Sequence, residues 1–398
     1  MSEILINTTT TGLQHQPAIA ALGGTHFFVV WLDSSDLTIK GRLVQANGNM
    51  SGGEFVVNTP TPTGANTNRQ RPTIASSGSG PIVAWIENAV NPPGPLPHVK
   101  LQRFNREGQP SGSEIQVSTT DVDPAHRPAI TGMIDGGFLV SWMDARSNQR
   151  IRAQRFSFDG SKKGPEFRVN TTDGFHQAPI ATRLVNGNYV IAWRSDPSPP
   201  GGGALIFRIF DLAGSPIVGE TRPNLSGFTG QKAMTFLDDN DRFVIAHVRG
   251  LGNSDIGVAK SAVEANVFEP NGASANIPIF ATSGQEINSS SPTLAPLPGG
   301  QFLLAWVHKR ADTFATIPSV KARFFPVAKV NLSARKSRSI PRRLAIDSVR
   351  VPRRSWSPER ARRPLSPGPT TAGPAATHRI LRYADGCFQS SLQGDWDD

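Results

Sequence analysis

The chain has 398 residues, with 41 Lys+Arg against 31 Asp+Glu and a single Cys. No apolar run approaches the roughly 18 residues that span a bilayer. Met1-Ser2-Glu3 opens without the basic region or the apolar stretch of about 7–15 residues that marks a signal peptide. These features point away from membrane insertion, toward a cytoplasmic protein or one exported by a non-classical route. From Pro326 onward lie 14 Lys+Arg and 6 Asp+Glu, which leaves 27 against 25 in residues 1–325, so nucleic acid is not an expected partner of the nearly neutral body. Cys387 also lies in that tail, which excludes disulfides and Cys-based zinc sites from residues 1–325.

In chain order, the first element is Glu3-Ile4-Leu5-Ile6-Asn7, a short strand pattern that returns later as Glu-x-x-Val-Asn. Six similar units follow. Each runs from a Pro-containing start through an apolar strand, a Gly turn, an apolar strand ending in Trp, and a second hairpin. The Trp slot is filled by Trp31, Trp85, Trp142, Trp193, His247 and Trp306, at steps of 54, 57, 51, 54 and 59 residues. In the third unit, strand A is Ala129 to Met133, B is Phe138 to Trp142, C is Arg150 to Phe156, and D is Glu166 to Asn170. A period of this size with four short strands per unit predicts an all-β chain, a β-propeller of four-stranded blades with six units in frame. Strand B is apolar on both faces because neighbouring sheets cover it, whereas C and D alternate. Gly48, Gly108, Gly160, Gly214 and Gly272 fall at the C–D turn, where positive φ is expected.

The connections between B and C vary most. Residues 33–38 form a short one, while 88–97 and 195–203 are Pro- and Gly-rich insertions, as expected of a ligand-selecting face. The fifth unit departs from the pattern: His247 replaces Trp, Lys232-Ala233 replaces the Pro start, and the Glu-x-x-Val-Asn ending is missing.

The string Asp135 to Trp142, followed by Gln154-Arg155-Phe156 and Gly164 to Thr172, resembles the propeller-like repeats of large bacterial extracellular proteins, many of which also carry haemolysin-type calcium-binding repeats. The resemblance covers residues 1–325 and implies secretion or surface adhesion. The calcium nonapeptide Gly-Gly-x-Gly-x-Asp is absent here, so no cofactor and no metal are expected.

The N-terminal segment at 3–6 reads as the D strand of the last blade, closing the ring. Residues 326–398 switch to Arg, Pro and Ser and read as a disordered tail, with a second reading beneath it. If the third base of each codon is read with the first two of the next, Ala334 through Ala345 can encode Ala/Thr-Glu-Ile-Thr-Val-Asn-Thr-Thr-Thr-Thr-Gly, like Glu3 to Gly12. In the same frame Ser366 through Thr371 can give Val-Ala-Trp-Thr-Asp-Asp, and Tyr383 through Phe388 can give Val-Arg-Gly-Arg-Val-Phe, like Val83 to Asn88 and Ile39 to Val44. Three matches in order indicate an out-of-frame seventh blade, with the shift near Phe325 to Pro326.

Two sets of residues are candidates for chemistry. His15, Gln70, His126, His176 and Ser290 align at the start of strand A, where they would surround the mouth of a central channel. Three histidines there could hold a polar ligand, an anion or a metal, or could hydrogen-bond the next blade. Asp33, Glu87, Asp144 and Asp196 follow the Trp positions. Their recurrence once per blade in four blades suggests loop-structuring or several equivalent weak sites more than one catalytic pair. Asp238-Asp239-Asn240-Asp241 resembles a calcium loop in composition but sits at an A–B turn, where Asp and Asn serve the backbone. Elbow, zincin, phosphate-loop and dinucleotide motifs are absent. The first reading is a non-catalytic propeller that binds a glycan, a protein or another extracellular ligand. A lyase or hydrolase with one site at the channel mouth is the second, and a structural module of a secreted protein the third. The sequence leaves oligomeric state open.

Overall fold

The computed structural model describes residues 4–59, 67–89, 96–145, 150–196, 203–225, 227–238, 240–253, 259–280, 287–310 and 319–326. The chain divides into two units, residues 1–328 with 385–398 and residues 329–384, and the described residues all belong to the first. They contain strands and no helix. None of them forms a helix long and apolar enough to cross a membrane.

The strands up to residue 221 form four antiparallel four-stranded sheets in the order of the sequence, and those from residue 228 on form one seven-stranded sheet, taken below as sheets five and six. Sheet one holds β1 (Gln14–Leu22), β2 (His26–Asp33), β3 (Thr38–Gln45) and β4 (Met50–Val56). Sheet two holds β5 (Thr67–Ser77), β6 (Gly80–Ala89), β7 (His98–Arg103) and β8 (Ile115–Gln116). Sheet three holds β9 (Ala129–Gly132), β10 (Phe138–Met143), β11 (Ile151–Phe156) and β12 (Phe167–Arg168). Sheet four holds β13 (Phe175–Arg183), β14 (Tyr189–Asp196), β15 (Ala204–Phe210) and β16 (Pro216–Thr221). Sheet five holds β17 (Phe228–Phe236), β18 (Phe243–Asn253), β19 (Ala259–Phe268) and β20 (Ser274–Phe280). Sheet six has three described strands, β21 (Ile287–Leu297), β22 (Gln301–Arg310) and β23 (Ser319–Pro326), and meets sheet five through one parallel bridge, Ser261 to Asn288.

First strands pack in series: β1 on β5, β5 on β9, β9 on β13, β13 on β17, β17 on β21. Each core therefore lies between consecutive sheets. Phe28 of sheet one meets Phe104 of sheet two edge-on at 5.3 Å, and Phe207 of sheet four meets Phe243 of sheet five at 5.4 Å. The second strand is covered on both faces, so β10 is buried at every position, whereas β11 alternates. Burying each Trp at the end of such a strand contributes roughly 2–3 kcal/mol. The third-to-fourth-strand turns carry Gly at positive φ, from 80° at Gly108 to 93° at Gly214.

The recurring Glu and Asn have separate duties. Asn58 Oδ1 accepts the backbone N–H of Ile39 at 2.7 Å, Ser118 Oγ that of Val99 at 3.1 Å, and Asn170 Oδ1 that of Ile151 at 2.8 Å, fixing the third strand within its own sheet. The Glu reaches out of its sheet. Glu166 accepts the backbone N–H and hydroxyl of Thr119, at 3.0 and 2.9 Å, from the segment leaving sheet two. Glu54 grips Thr8 and Thr9, Glu114 grips the N–H of Thr59, and Glu220 grips Thr171 and Thr172. Each is a charged clamp between one sheet and the segment before it.

Within the expected closing strand at 3–6, residues 4–6 form no strand. Residues 4–7 lie outside any strand, and Ile4 and Leu5 are 48% and 70% exposed. The Ile6 carbonyl accepts Arg42 Nη1 at 2.7 Å instead. A fourth strand needs the free edge of a third strand, and no described strand pairs with this segment. The shifted-frame seventh blade expected in 326–398 lies, beyond Pro326, outside the described residues.

Candidate functional site

At one end of each sheet, the start of the first strand meets the end of the second. His15 lies opposite Leu32, Gln70 opposite Ile86, Gln177 opposite Arg194, and Ser290 opposite Val307. The register then shifts, and Gln16, Arg71, Ala178 and Ser291 take φ of 54°, 60°, 51° and 52° just before Pro17, Pro72, Pro179 and Pro292. This is a β-bulge with a residue in the left-handed region, a strained state held by its surroundings. The neighbouring sheet helps to hold it: Gln16 Oε1 accepts Arg71 N at 2.6 Å, and Gln231 Oε1 accepts Ser291 N at 2.7 Å.

This geometry corrects one alignment. Gln177, not His176, shares the register of His15 and Gln70, because the relevant proline is Pro179. A slip of one residue turns a strand side chain to the other face. His176 is 1% exposed, its Nδ1 accepts Trp193 Nε1 at 3.2 Å, and its Nε2 lies 3.1 Å from the Thr172 carbonyl. Gln14 does the same work in sheet one, taking Trp31 Nε1 at 2.8 Å. Burial holds the His176 imidazole below its ordinary pKa, against the pull of its Thr172 hydrogen bond. His15 and Gln70 are half-buried in their strands, Ser290 likewise, and His126 is half-buried ahead of β9. Burial also lowers the pKa of His15. Among the described residues, no group of three or more His, Cys, Asp or Glu side chains is arranged to hold a metal ion.

The four acidic positions are distributed among their own sheets. Asp33 is fully buried, and its Oδ1 accepts the N–H and hydroxyl of Ser35 at 3.0 and 2.6 Å, shaping the short connection to β3. Glu87 pairs with Lys100 at 2.5 Å and Arg69 at 3.2 Å. Asp144, also fully buried, pairs with Arg152 Nε at 2.7 Å, and the same guanidinium reaches Glu166 at 2.9 Å. Asp196 holds Arg194 Nε at 2.8 Å and Gln177 Nε2 at 2.6 Å. The Asp-rich run at the A–B turn serves structure: Asp238 binds Arg242, and Asp241 Oδ1 accepts the Asn186 N–H of the adjacent sheet at 2.7 Å.

Sheet five contains a cluster whose partners the sequence did not reveal. His247 is fully buried in the Trp slot beside Phe228, with Nε2 3.8 Å from Glu264 Oε2, while Arg249 Nε lies 2.6 Å from Glu264 Oε1. Burial, with Arg249 adding to it, pushes the His247 pKa down to about 4. Burial raises that of Glu264, and Arg249 offsets only part of the rise. The one available signal was the loss of Trp at 247, since Glu264 stands where Lys40, Lys100 and Arg152 stand in other sheets.

No protein-family model and no curated protein matches the chain. Solved structures resemble it distantly. A protein of unknown function from Dyadobacter fermentans is 11% identical, with a TM-score of 0.49 over 81% of this chain and 96% of its own. A GH93 α-L-arabinofuranosidase of Fusarium graminearum, in complex with arabinobiose, gives the same identity, coverage and TM-score. A GH43 endo-arabinanase from Bacillus licheniformis is 16% identical, with a TM-score of 0.39 over 68% of this chain and 99% of its own. At these scores the likeness carries no argument about activity.

Proposed function

We propose that residues 1–325 form a β-propeller that binds a glycan or another extracellular ligand without transforming it, at the end where first strands begin and second strands finish. The reading rests on one observation. Glu87, Asp144 and Asp196 are each neutralised by a cation of their own sheet, in repeated positions. Such pairs fix donors and acceptors in several similar polar stations, whereas glycoside cleavage needs two carboxylates about 5–9.5 Å apart across one bond. His15, Gln70 and His126 supply further half-buried polar groups. Export and kinship with bacterial extracellular repeat proteins belong to the same proposal and rest on the sequence pattern alone.

Glycan-array screening followed by calorimetric titration tests it. Binding without product release is expected, weakened at least tenfold by Arg194→Ala, which frees Asp196. No ligand across the array, or turnover of a bound glycan, overturns it. The second reading, a lyase or hydrolase, is favoured by the cluster in sheet five. A carboxyl with a raised pKa beside an imidazole is a proton-transfer pair in kind. Activity abolished by Glu264→Gln with folding intact would establish that reading instead.

A further inference from the structure

The outer edge of β23 is unlike the third strand of any other sheet. Trp306 faces Lys321 and Val307 faces Val320, the register in which Trp31 faces Lys40 and Leu32 faces Ile39. Positions equivalent to Val320 are Ile39, Val99, Ile151, Leu205 and Val263, all at most 1% exposed; Val320 is 78% exposed and Phe324 67%. The register directs the Val320 N–H and carbonyl to the edge away from β22, as it does for Ile39. At Ile39, Val99 and Ile151 those groups meet a fourth-strand pattern of fixed spacing. The carbonyl accepts the N–H of Val57, Val117 or Val169, 18 residues on, at 2.8 Å, and the N–H donates to Asn58, Ser118 or Asn170, 19 residues on. One residue later, Arg152 binds Glu166 at 2.9 Å and Lys100 lies 4.0 Å from Glu114, each 14 residues on.

We propose that the β23 edge is the seat of a fourth strand of sequence Glu-Ile-Thr-Val-Asn, which the codons for Ala334 to Ala345 can encode one frame away. Each shifted triplet is counted here at the codon supplying its first base. Glu then falls 14 after Lys321, Val 18 after Val320, and Asn 19 after Val320. These are the 18- and 19-residue spacings of sheets one to three and the 14-residue spacing of sheets two and three. Regaining the frame by loss of two bases keeps them, and gain of one base lengthens the hairpin by one residue. The strand brings a carboxylate to Lys321, an amide cap to the Val320 N–H, and a ladder bond to its carbonyl. The seat recognises a β-strand by main-chain pairing, with Glu and Asn setting the register.

The full chain is titrated with a fluorescein-labelled peptide Thr-Glu-Ile-Thr-Val-Asn-Thr-Thr, with its Glu→Ala and Asn→Ala versions, and with Ser-Glu-Ile-Leu-Ile-Asn-Thr-Thr from the N-terminus. The first peptide is expected to bind and to raise the melting temperature, and each Ala version to bind at least fivefold more weakly. Lys321→Glu should weaken the parent peptide at least tenfold, and a Glu→Lys peptide should recover binding to that variant. Because Lys321 is exposed, this charge swap does not depend on a buried substitution. No binding by the parent, or equal binding by the Ala versions, overturns the proposal. Tighter binding by the N-terminal peptide also overturns it, in favour of strand exchange with a second copy.

Discussion

Sheets three and six begin from nearly the same sequence pattern and end in different states. In sheet three, Ile151 and Ala153 are fully buried, Arg152 is tied to Asp144 and Glu166, and β12 covers the edge. In sheet six the register across β22 and β23 is the same, yet β23 is exposed almost throughout. The contrast shows that third-strand side chains are not buried by their own hairpin. They are buried by what comes after: a fourth strand and another sheet.

Restoring the shifted frame after Phe325 should have the largest effect on that contrast. Covering Val320 and Phe324 alone would add about 3–6 kcal/mol at roughly 1.5–3 kcal/mol per buried side chain. Thermal unfolding of the two forms measures it, and equal melting temperatures would remove the energetic side of the argument.

Next comes the clamp. Glu166→Ala removes two hydrogen bonds from Thr119 and the Arg152 ion pair, an expected loss of about 2–3 kcal/mol. Glu54→Ala should cost less, about 1 kcal/mol or under, because Thr8 and Thr9 adjoin a segment that forms no strand. A loss for Glu54→Ala equal to that for Glu166→Ala would break the comparison. Acid should weaken the Glu54 and Glu220 clamps, whose carboxyls, despite burial, are held below the ordinary pKa by hydrogen bonds from Thr8 and Thr9 and from Thr171 and Thr172. Burial pushes the Glu220 carboxyl up, but hydrogen bonds from Thr171 and Thr172 outweigh it and leave its pKa below the ordinary value. Its contribution is present above the ordinary Glu pKa and is lost as pH falls through the lowered one.

An effect confined to acid pH lies in sheet five, which has its four strands but not its Trp. With a native pKa of about 4 against 6.5 unfolded, His247 takes up a proton more readily in the unfolded chain. It therefore withdraws stability as pH falls below 6.5, by about 2 kcal/mol at pH 5. His247→Trp should remove that contribution from the pH dependence of the melting temperature. An unchanged slope would show that the site tolerates the imidazolium.

Most of the strand order was legible in the sequence, because hairpin repeats advertise themselves through alternating hydrophobicity and turn glycines. The Trp positions, the order A to D and the glycine turns at Gly48 and Gly160 coincide with the structure. The site was less legible. His176 stands one residue out of register with His15 and Gln70 because Ala178, not a proline, lies two residues after it and the proline of its unit is Pro179. The role of Glu54 and Glu166 across sheets was invisible, since a linear motif does not say whether its carboxylate turns inward or to a neighbour. Glu264 escaped notice because its unit lacks the tokens that aligned the others.

The carboxylate clamps also give the chain a direction. Glu54, Glu114, Glu166 and Glu220 each hold Thr from the segment before their own sheet, so four successive units are joined by the same rule. A gene segment cut within one of these four units and rejoined at the same point of another keeps these joints matched. Unequal recombination among these units can thus lengthen or shorten the array by whole units. Unit number is then a quantity that descent can change in one event, while the rules for joining units stay constant.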